Sequence, residues 1–166
     1  MAEFYMSLGS NLGDRFSNLK KGIKSLRSKG LHIVSVSSIY ETEPVDMPRG
    51  NSFYNLVVKA QSALSPDEVL HACFDVESHM GRVRAEKKEP RFFDADILFY
   101  DDLIFESESL TIPHPRLHLR KFVLVPLAEI APDLIHPILK KSVSALLYEC
   151  PDNSKVMKVN SVLDCL

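Results

Sequence analysis

The sequence predicts an α+β domain with a largely antiparallel sheet flanked by helices. Two segments place apolar residues at intervals of three and four, which is typical of amphipathic helices. Four other segments are runs of β-branched and aromatic residues bounded by turn residues, which is typical of strands. Their order (strand, helix, strand, strand, helix, strand) favours helices packed on one sheet.

Local signals set the predicted bounds of each element. The first helix carries the apolar stripe Phe16, Leu19, Ile23 and Leu26, and prolines between residues 113 and 137 are expected to break that region into short pieces. The predicted elements are a strand over residues 4–8, a helix over 12–27, a strand over 31–40, a loop over 41–52, a strand over 53–64, a helix from the capping box at 65–68 to Gly81, a charged loop over 82–90, a strand over 91–100 and a last helix from Ser142.

Composition excludes several classes of protein. The chain has 166 residues, which suits one domain, and 45% of them are hydrophobic, too many for a disordered chain. Its 20 Lys and Arg against 22 Asp and Glu give a net charge of -2, whereas nucleic-acid binders are usually basic. We find no signal peptide and no apolar run near the ~20 residues that span a bilayer. We therefore expect a cytoplasmic monomer with a single domain over residues 1–166 that binds small molecules and neither nucleic acid nor membrane.

The cysteines predict neither a disulfide framework nor a zinc site. Cys73, Cys150 and Cys165 are odd in number, widely spaced and not arranged as CxxC. Reduced thiols are expected.

The strongest candidate for metal chemistry is Asp94-Ala95-Asp96 in the fourth predicted strand. Alternate residues of a strand point to one face, so the two carboxylates should lie together and repel by about 3 kcal/mol at an effective dielectric constant of about 20. A divalent cation offsets that repulsion. A solvated edge with two acids is the alternative, but the apolar residues at 92–93 and 97–99 favour an interior strand.

Two basic segments flank this strand. Residues 82–91 hold five Lys and Arg, and arginine makes bidentate contacts to phosphate oxygens, so a polyphosphate is a fitting ligand. A solvated charged loop is the alternative on composition alone. Residues 113–122 hold two histidines and three cations, which favours a second phosphate-binding arm because a zinc site on His114 and His118 lacks further ligands.

Two further groups were weighed. Residues 9–14, GSNLGD, lack the Walker A residues and the GxGxxG spacing, so we interpret them as a structural turn and helix cap. Phe53 and Phe122 offer aromatic surface and Asn55 offers edge donors and acceptors to a flat heteroaromatic ligand, although both phenylalanines also suit a core.

Taken together, these motifs resemble the 6-hydroxymethyl-7,8-dihydropterin pyrophosphokinases of folate biosynthesis. The resemblance covers about residues 3 to 150 and rests on six runs in the right order: GSNLGD (9–14), GRVR (81–84), PRFFDADIL (90–98), IPHPRL (112–117), FVLVPL (122–127) and AEIAP (128–132). It implies a ferredoxin-like, three-layer α+β fold. It also implies that ATP donates a diphosphate to the pterin alcohol with release of AMP, and that two Mg²⁺ ions assist.

The resemblance also implies the site residues. Asp94 and Asp96 would bind both magnesium ions, and Arg82 and Arg91 would join them in catalysis. The ATP contacts would be Glu77, Arg84, Lys87, Ile97, Thr111, His114 and Arg120. The pterin pocket would be Thr42, Val45, Phe53, Asn55 and Phe122. We expect the loops at 44–52 and 82–89 to move and to exclude water from the site.

The chain departs from the family pattern on the adenine side and in the basic loop. The substituted positions are Glu43, Phe74, Lys88, Glu89 and Ala95, where the family usually has proline, glutamine, an aromatic residue, glycine and leucine. Three alternative interpretations remain at this point: a ferredoxin-like RNA-binding module, a glycosyltransferase that uses the aspartate pair for metal, and an inactive relative that only binds nucleotide.

Overall fold

One antiparallel sheet organises the chain, as the sequence predicts. The computed structural model describes residues 1–42, 52–81 and 90–159. In chain order the elements are β1 (Ala2–Ser10), α1 (Arg15–Ser28), β2 (His32–Val36), β3 (Tyr40–Thr42), β4 (Phe53–Ser62), α2 (Pro66–His79), β5 (Asp94–Tyr100), β6 (Phe105–Glu106), β7 (Thr111–Ile112), a short 3-10 helix (Leu117–Leu119), α3 (Lys121–Ile130), α4 (Val143–Glu149) and β8 (Val156–Lys158).

The strand order places β1 and β4 at the centre. The order is β5-β1-β4-β3-β8, with β2 also paired to β4, and every pairing is antiparallel. The short strands β6 and β7 form a separate hairpin. The predicted α+β class is confirmed.

Both faces of the sheet are covered, which makes three layers. Along β1, Phe4 and Met6 face one cluster that includes residues of α1 and α2. Tyr5 faces the opposite cluster with residues of α3 and α4, since neighbouring side chains of a strand alternate between faces. The RNA-binding alternative needs a sheet face with exposed aromatic residues, and the covered faces argue against it.

Several predicted bounds are wrong in detail. The second strand, expected over residues 31–40, is two strands, because the chain leaves β4 after Val36 and returns to it at Tyr40. Helix α1 begins at Arg15 rather than residue 12, where the carboxylate of Asp14 caps it by accepting from the Ser17 amide at 3.0 Å. The expected loop over 41–52 loses Glu41 and Thr42 to β3, and residues 43–51 lie outside the described ranges.

Strand β5 is an edge strand, not the interior strand that its apolar composition predicts. It pairs with β1 on one side only, among the residues that the structure describes. Its apolar side chains are buried because both faces are covered: Ile97 packs towards α1 and α2, and Leu98 packs towards α3 and α4. Burial above and below a strand therefore does not reveal whether a neighbour lies beside it.

Helix α1 and the start of β5 meet at Gly22. A methyl group there would lie 2.1 Å from Cε1 of Phe93, whose side chain is fully buried. The absence of a side chain at Gly22 thus lets Phe93, the residue before Asp94, pack directly against the helix.

Replacing Gly22 with alanine should destabilise the protein. Alanine favours a helix interior by up to about 1 kcal/mol over glycine, but overpacking typically costs about 1–3 kcal/mol. We expect the second effect to win and the urea-unfolding free energy to fall. Lys24→Ala, on the exposed side of α1, is the matched control and should leave it nearly unchanged. A rise in stability for Gly22→Ala would contradict the packing described.

No helix among residues 1–42, 52–81 and 90–159 is long and apolar enough to cross a membrane. Cys73 and Cys150 are both free thiols, as expected, and Cys165 lies outside the described residues.

Candidate active site

Asp94 and Asp96 lie on one face of β5, as predicted. In the register with β1, Asp94 stands opposite Gly9 and Asp96 opposite Ser7. Both aspartates are partly buried. Nη1 of Arg91 lies 2.8 Å from Oδ2 of Asp94, and the two side chains are only 18% and 19% exposed. The first carboxylate is thus held by an arginine from the segment that leads into the strand.

The outer edge of β5 is held by groups that are not strands. Oε1 of Glu77, a buried residue of α2, accepts a hydrogen bond from the Ala95 amide at 3.0 Å. The His114 amide donates to the Leu98 carbonyl at 2.9 Å. Because unpaired edge groups are costly when buried, these two bonds stabilise the backbone on either side of Asp96. They explain how an edge strand can present a fixed pair of carboxylates.

The aspartate pair offers the ligands of a magnesium site rather than those of a structural zinc site. Across the described residues, no cluster of three or more His, Cys, Asp or Glu side chains could hold a metal ion. Mg²⁺ usually binds through one or two carboxylates together with waters and substrate phosphates. Asp94 and Asp96 match that pattern, whereas a structural zinc site would need four protein ligands.

The negative charge of this region reaches a buried thiol. Burial raises the pKa of Cys73, and the carboxylates of Glu77, Asp96 and Asp94 raise that pKa further. Cys73 is therefore a protonated, inert thiol. The three carboxylates together make the electrostatic potential at this place negative. A bound cation would offset that potential directly.

Asn11 is a site residue that the sequence interpretation missed. Its side-chain Oδ1 accepts a hydrogen bond from the Arg91 backbone amide at 2.6 Å. The Asn11 backbone amide donates to the Arg91 carbonyl at 3.0 Å. Asn11 is fully buried, and Asn18 of α1 donates to the neighbouring Leu12 carbonyl at 2.7 Å. The GSNLGD turn is the predicted helix cap and also a clamp that sets the backbone of Arg91.

A cavity of about 330 Å³ opens beside the edge of β5. It brings together four of the seven residues predicted to contact ATP, namely Glu77, Ile97, Thr111 and His114. The predicted metal ligand Asp96 also lines it. Arg120 does not line the cavity, but its charge acts on His114 and its guanidinium carbon lies 5.7 Å from the centre of the Phe122 ring. Arg84 and Lys87 lie outside the described residues, as do Arg82 and Val45.

His114 is held as a neutral imidazole. Burial lowers its pKa to about 4, the Arg120 and Arg116 charges act in the same direction, and Asp94 opposes them. Its Nδ1 accepts a hydrogen bond from the Arg116 amide at 3.1 Å. The imidazole therefore offers a hydrogen-bonding edge to a ligand without adding a positive charge.

This shift predicts a pH dependence of stability. Between pH 4 and 6.5 the unfolded chain binds a proton at His114 while the folded protein does not, so protonation favours unfolding. Above pH 6.5 His114 therefore does not lower the free energy of unfolding, and that free energy falls as the pH drops from 6.5 towards 4. In urea titrations across that range, His114→Asn should show a shallower fall in unfolding free energy than the wild type. Asparagine keeps an acceptor for the Arg116 amide, so an unchanged slope would contradict a buried neutral His114.

Three of the predicted pterin residues, Thr42, Phe53 and Asn55, lie on the same sheet face as the aspartates. Asn55 and Thr42 are buried, and Nδ2 of Asn55 donates to Oγ1 of Thr42 at 2.8 Å. Asn55 stands opposite Gly9, which in turn stands opposite Asp94. Two strand spacings of about 4.8 Å each therefore separate the backbone positions of Asn55 and Asp94.

Gly9 has no side chain, which lets the side chains of Asn55 and Phe53 lie over β1. A Cβ at Gly9 would lie 2.8 Å from Oδ1 of Asn55 and 3.5 Å from Cδ1 of Phe53. Phe53 and Phe122 are both partly buried rather than core residues. The site thus joins an amide, aromatic rings and a carboxylate pair across one row of the sheet.

Comparisons with known proteins show which family this chain resembles in sequence. The sequence profile of the family described as 7,8-dihydro-6-hydroxymethylpterin-pyrophosphokinase (HPPK) matches residues 5–132. The chain is 41% identical over 141 residues to the 2-amino-4-hydroxy-6-hydroxymethyldihydropteridine pyrophosphokinase of Aquifex aeolicus, covering 85% of this chain and 88% of that protein.

Longer proteins also contain a similar region. The chain is 40% identical over 164 residues to the folic acid synthesis protein fol1 of Schizosaccharomyces pombe, covering 92% of this chain but only 22% of that protein. The chain thus spans about a fifth of that relative. The fold resembles a crystal structure of an HPPK-DHPS protein in complex with substrates, with a TM-score of 0.72 at 15% identity over 89% of this chain and 43% of that one.

Proposed function

The chain belongs to the 7,8-dihydro-6-hydroxymethylpterin-pyrophosphokinase family, and we propose that it transfers a diphosphate from ATP to 6-hydroxymethyl-7,8-dihydropterin, a step of folate biosynthesis. The observation that carries the proposal is the row of Asn55, Gly9 and Asp94 across three neighbouring strands. It places the Asn55 amide on the same sheet face as the carboxylate pair, two strands away, and a cavity opens beside that pair at the edge of β5.

In the proposed reaction the pterin hydroxyl oxygen forms a bond to the β-phosphorus of ATP. The bond between that phosphorus and the oxygen bridging to the α-phosphorus breaks, so AMP leaves with the bridging oxygen and the hydroxyl proton is released. Such transfers need alignment and neutralised charge more than a strong base. We assign no general base.

The chain's own residues would supply the alignment. Asn55, held by Thr42, would read the edge of the pterin ring, and Phe53 and Phe122 would pack against its faces. Arg91, clamped by Asn11, would place a positive charge beside the transferred phosphates while it also holds Asp94. As a neutral ring whose Nδ1 accepts from the Arg116 amide, His114 would donate a hydrogen bond to the nucleotide from its Nε2–H group. Arg82, Arg84, Lys87 and Val45 remain proposals from the family resemblance, because they lie outside the described residues.

The proposal includes Mg²⁺ held by Asp94 and Asp96, with two ions as the family pattern implies. When bound, magnesium neutralises phosphate charge and orients the attacking and leaving oxygens. The support in this chain is the pair of partly buried carboxylates on one strand face.

The test is a turnover assay with ATP, magnesium and 6-hydroxymethyl-7,8-dihydropterin, with nucleotide products separated by chromatography. We expect AMP and the pterin diphosphate in equal amounts. ADP as the product would mean transfer of a single phosphoryl group and would contradict the proposal. Binding of substrates without turnover would instead support the inactive-relative alternative.

The proposal also treats residues 1–166 as one catalytic domain that acts as a cytoplasmic monomer. Light scattering coupled to size exclusion tests the monomer, and cell fractionation tests the compartment. Limited proteolysis tests whether the chain behaves as one domain.

A further inference from the structure

The cavity beside β5 is bounded along its length by one stripe of α2. Leu70, Phe74 and Glu77 all line it, at the i, i+4 and i+7 spacing that places side chains on one helix face. The stripe is fixed at both ends. Glu77 bonds the Ala95 amide, and the Tyr100 hydroxyl donates to the Leu64 carbonyl, just before the helix, at 2.6 Å.

These two hydrogen bonds fix how α2 runs along β5, and so which end of the cavity lies near which part of the strand. The Glu77 end lies beside Asp96, and α2 runs back from there towards the Tyr100 end of β5. Phe74 stands one turn away from Glu77, a rise of about 4.5 Å along the helix. Along α2 the lining therefore changes from a carboxylate at Glu77, beside Asp96, to apolar side chains at Phe74 and Leu70. Glu108 and Ser109, between β6 and β7, also line the cavity.

A nucleoside triphosphate fits this gradient in one orientation. This step rests on the proposed function. The phosphates belong at the carboxylate end, where magnesium would bind and Arg91 lies, so the base belongs against the α2 stripe. Among the described residues that line the cavity, none is an asparagine or glutamine that could read the base with an amide. Phe74 is the one phenylalanine, tyrosine or tryptophan among the lining residues that the structure describes. The ring of the exposed His71 packs edge-to-face against it, with 6.5 Å between the ring centres.

We propose that Phe74 is the platform on which the purine base of the nucleotide stacks, and that it adds affinity without choosing between adenine and guanine. Every base has a π face, so stacking on an aromatic ring is tolerant of base identity. A side-chain amide at this position would act differently, because its hydrogen bonds depend on which groups the base edge presents.

Direct binding measurements test this proposal independently of turnover. The probes are nonhydrolysable analogues of ATP and GTP and inorganic tripolyphosphate, each titrated with magnesium by calorimetry. Phe74→Ala should weaken both nucleotide analogues by the same factor, about 10-fold. It should leave tripolyphosphate, which has no base, at wild-type affinity. Phe74→Tyr should retain wild-type affinity for all three probes, and Phe74→Leu, which keeps apolar bulk without a ring face, should lose affinity as alanine does.

The possible failures are distinguishable. A wild-type protein that binds neither nucleotide analogue would overturn the proposed function and this inference with it. Wild-type affinity in Phe74→Ala or in Phe74→Leu would overturn the inference alone. So would a loss confined to the ATP analogue, which would indicate recognition of the base edge, or an equal loss for tripolyphosphate, which would indicate a disturbed phosphate end.

Discussion

Asp96→Asn is expected to lower kcat for diphosphate transfer by roughly 10³-fold, equivalent to about 4 kcal/mol of transition-state stabilisation. The substitution keeps the size of the side chain and removes one negative charge from the pair on β5. The remaining carboxylate, Asp94, is already engaged by Arg91 at 2.8 Å. The substitution therefore removes the carboxylate that also lines the cavity beside β5, where we propose that the nucleotide binds.

The control is Asp102→Asn, in the exposed turn that follows β5, which should retain wild-type kcat. Manganese binding in the presence of an ATP analogue, followed by electron paramagnetic resonance, separates metal loss from misfolding. We expect weaker binding in Asp96→Asn and unchanged thermal unfolding. A variant with full activity at ordinary magnesium concentrations would show that Asp96 is not a metal ligand.

The aspartate pair itself could be predicted from local pattern, because strand alternation alone puts residues 94 and 96 on one face. The contacts that hold that strand in place could not be predicted in this way. Glu77 reaches the Ala95 amide across 18 positions, and Asn11 reaches the Arg91 amide across 80. Contacts of this kind depend on how elements dock, and no periodicity in a single sequence encodes them.

Helix α3 shows the opposite failure, in which a local rule was applied too strictly. Pro126 predicts a break, yet it lies inside a helix over Lys121–Ile130. An interior proline costs about 3 kcal/mol, but fully burying an aliphatic side chain gains about 1.5–3 kcal/mol. Val123, Leu124 and Leu127 are all buried against the sheet. Tertiary packing therefore outweighs the proline, and this helix covers the face that carries the pterin residues.

The edge position of β5 has a functional consequence. An interior strand would have both sides occupied by neighbouring strands, with no room for a ligand beside it. At the edge, the Glu77 and His114 contacts hold the ends of a short segment while the cavity opens between them. The apolar residues that suggested an interior strand instead rigidify an edge that borders this cavity.

Asn55→Ala should raise the KM for 6-hydroxymethyl-7,8-dihydropterin roughly 100-fold, about 2.7 kcal/mol, with little change in the KM for ATP. The amide is 5% exposed and held by Oγ1 of Thr42, so its remaining hydrogen-bonding groups are fixed towards the space beside Gly9. A buried heterocycle that loses a preorganised partner keeps an unsatisfied polar group, which is the costly outcome.

Thr42→Val separates orientation from contact. It leaves the Asn55 amide in place but removes the oxygen that accepts from it at 2.8 Å, so a smaller rise in the pterin KM, about 10-fold, is expected. Asn153→Ala, at an exposed position, controls for loss of an asparagine side chain and should behave as the wild type. If Asn55→Ala instead raised the KM for ATP alone, the pterin would have to bind elsewhere, because Asn55 lies on the Gly9 row and not among the residues that line the nucleotide cavity.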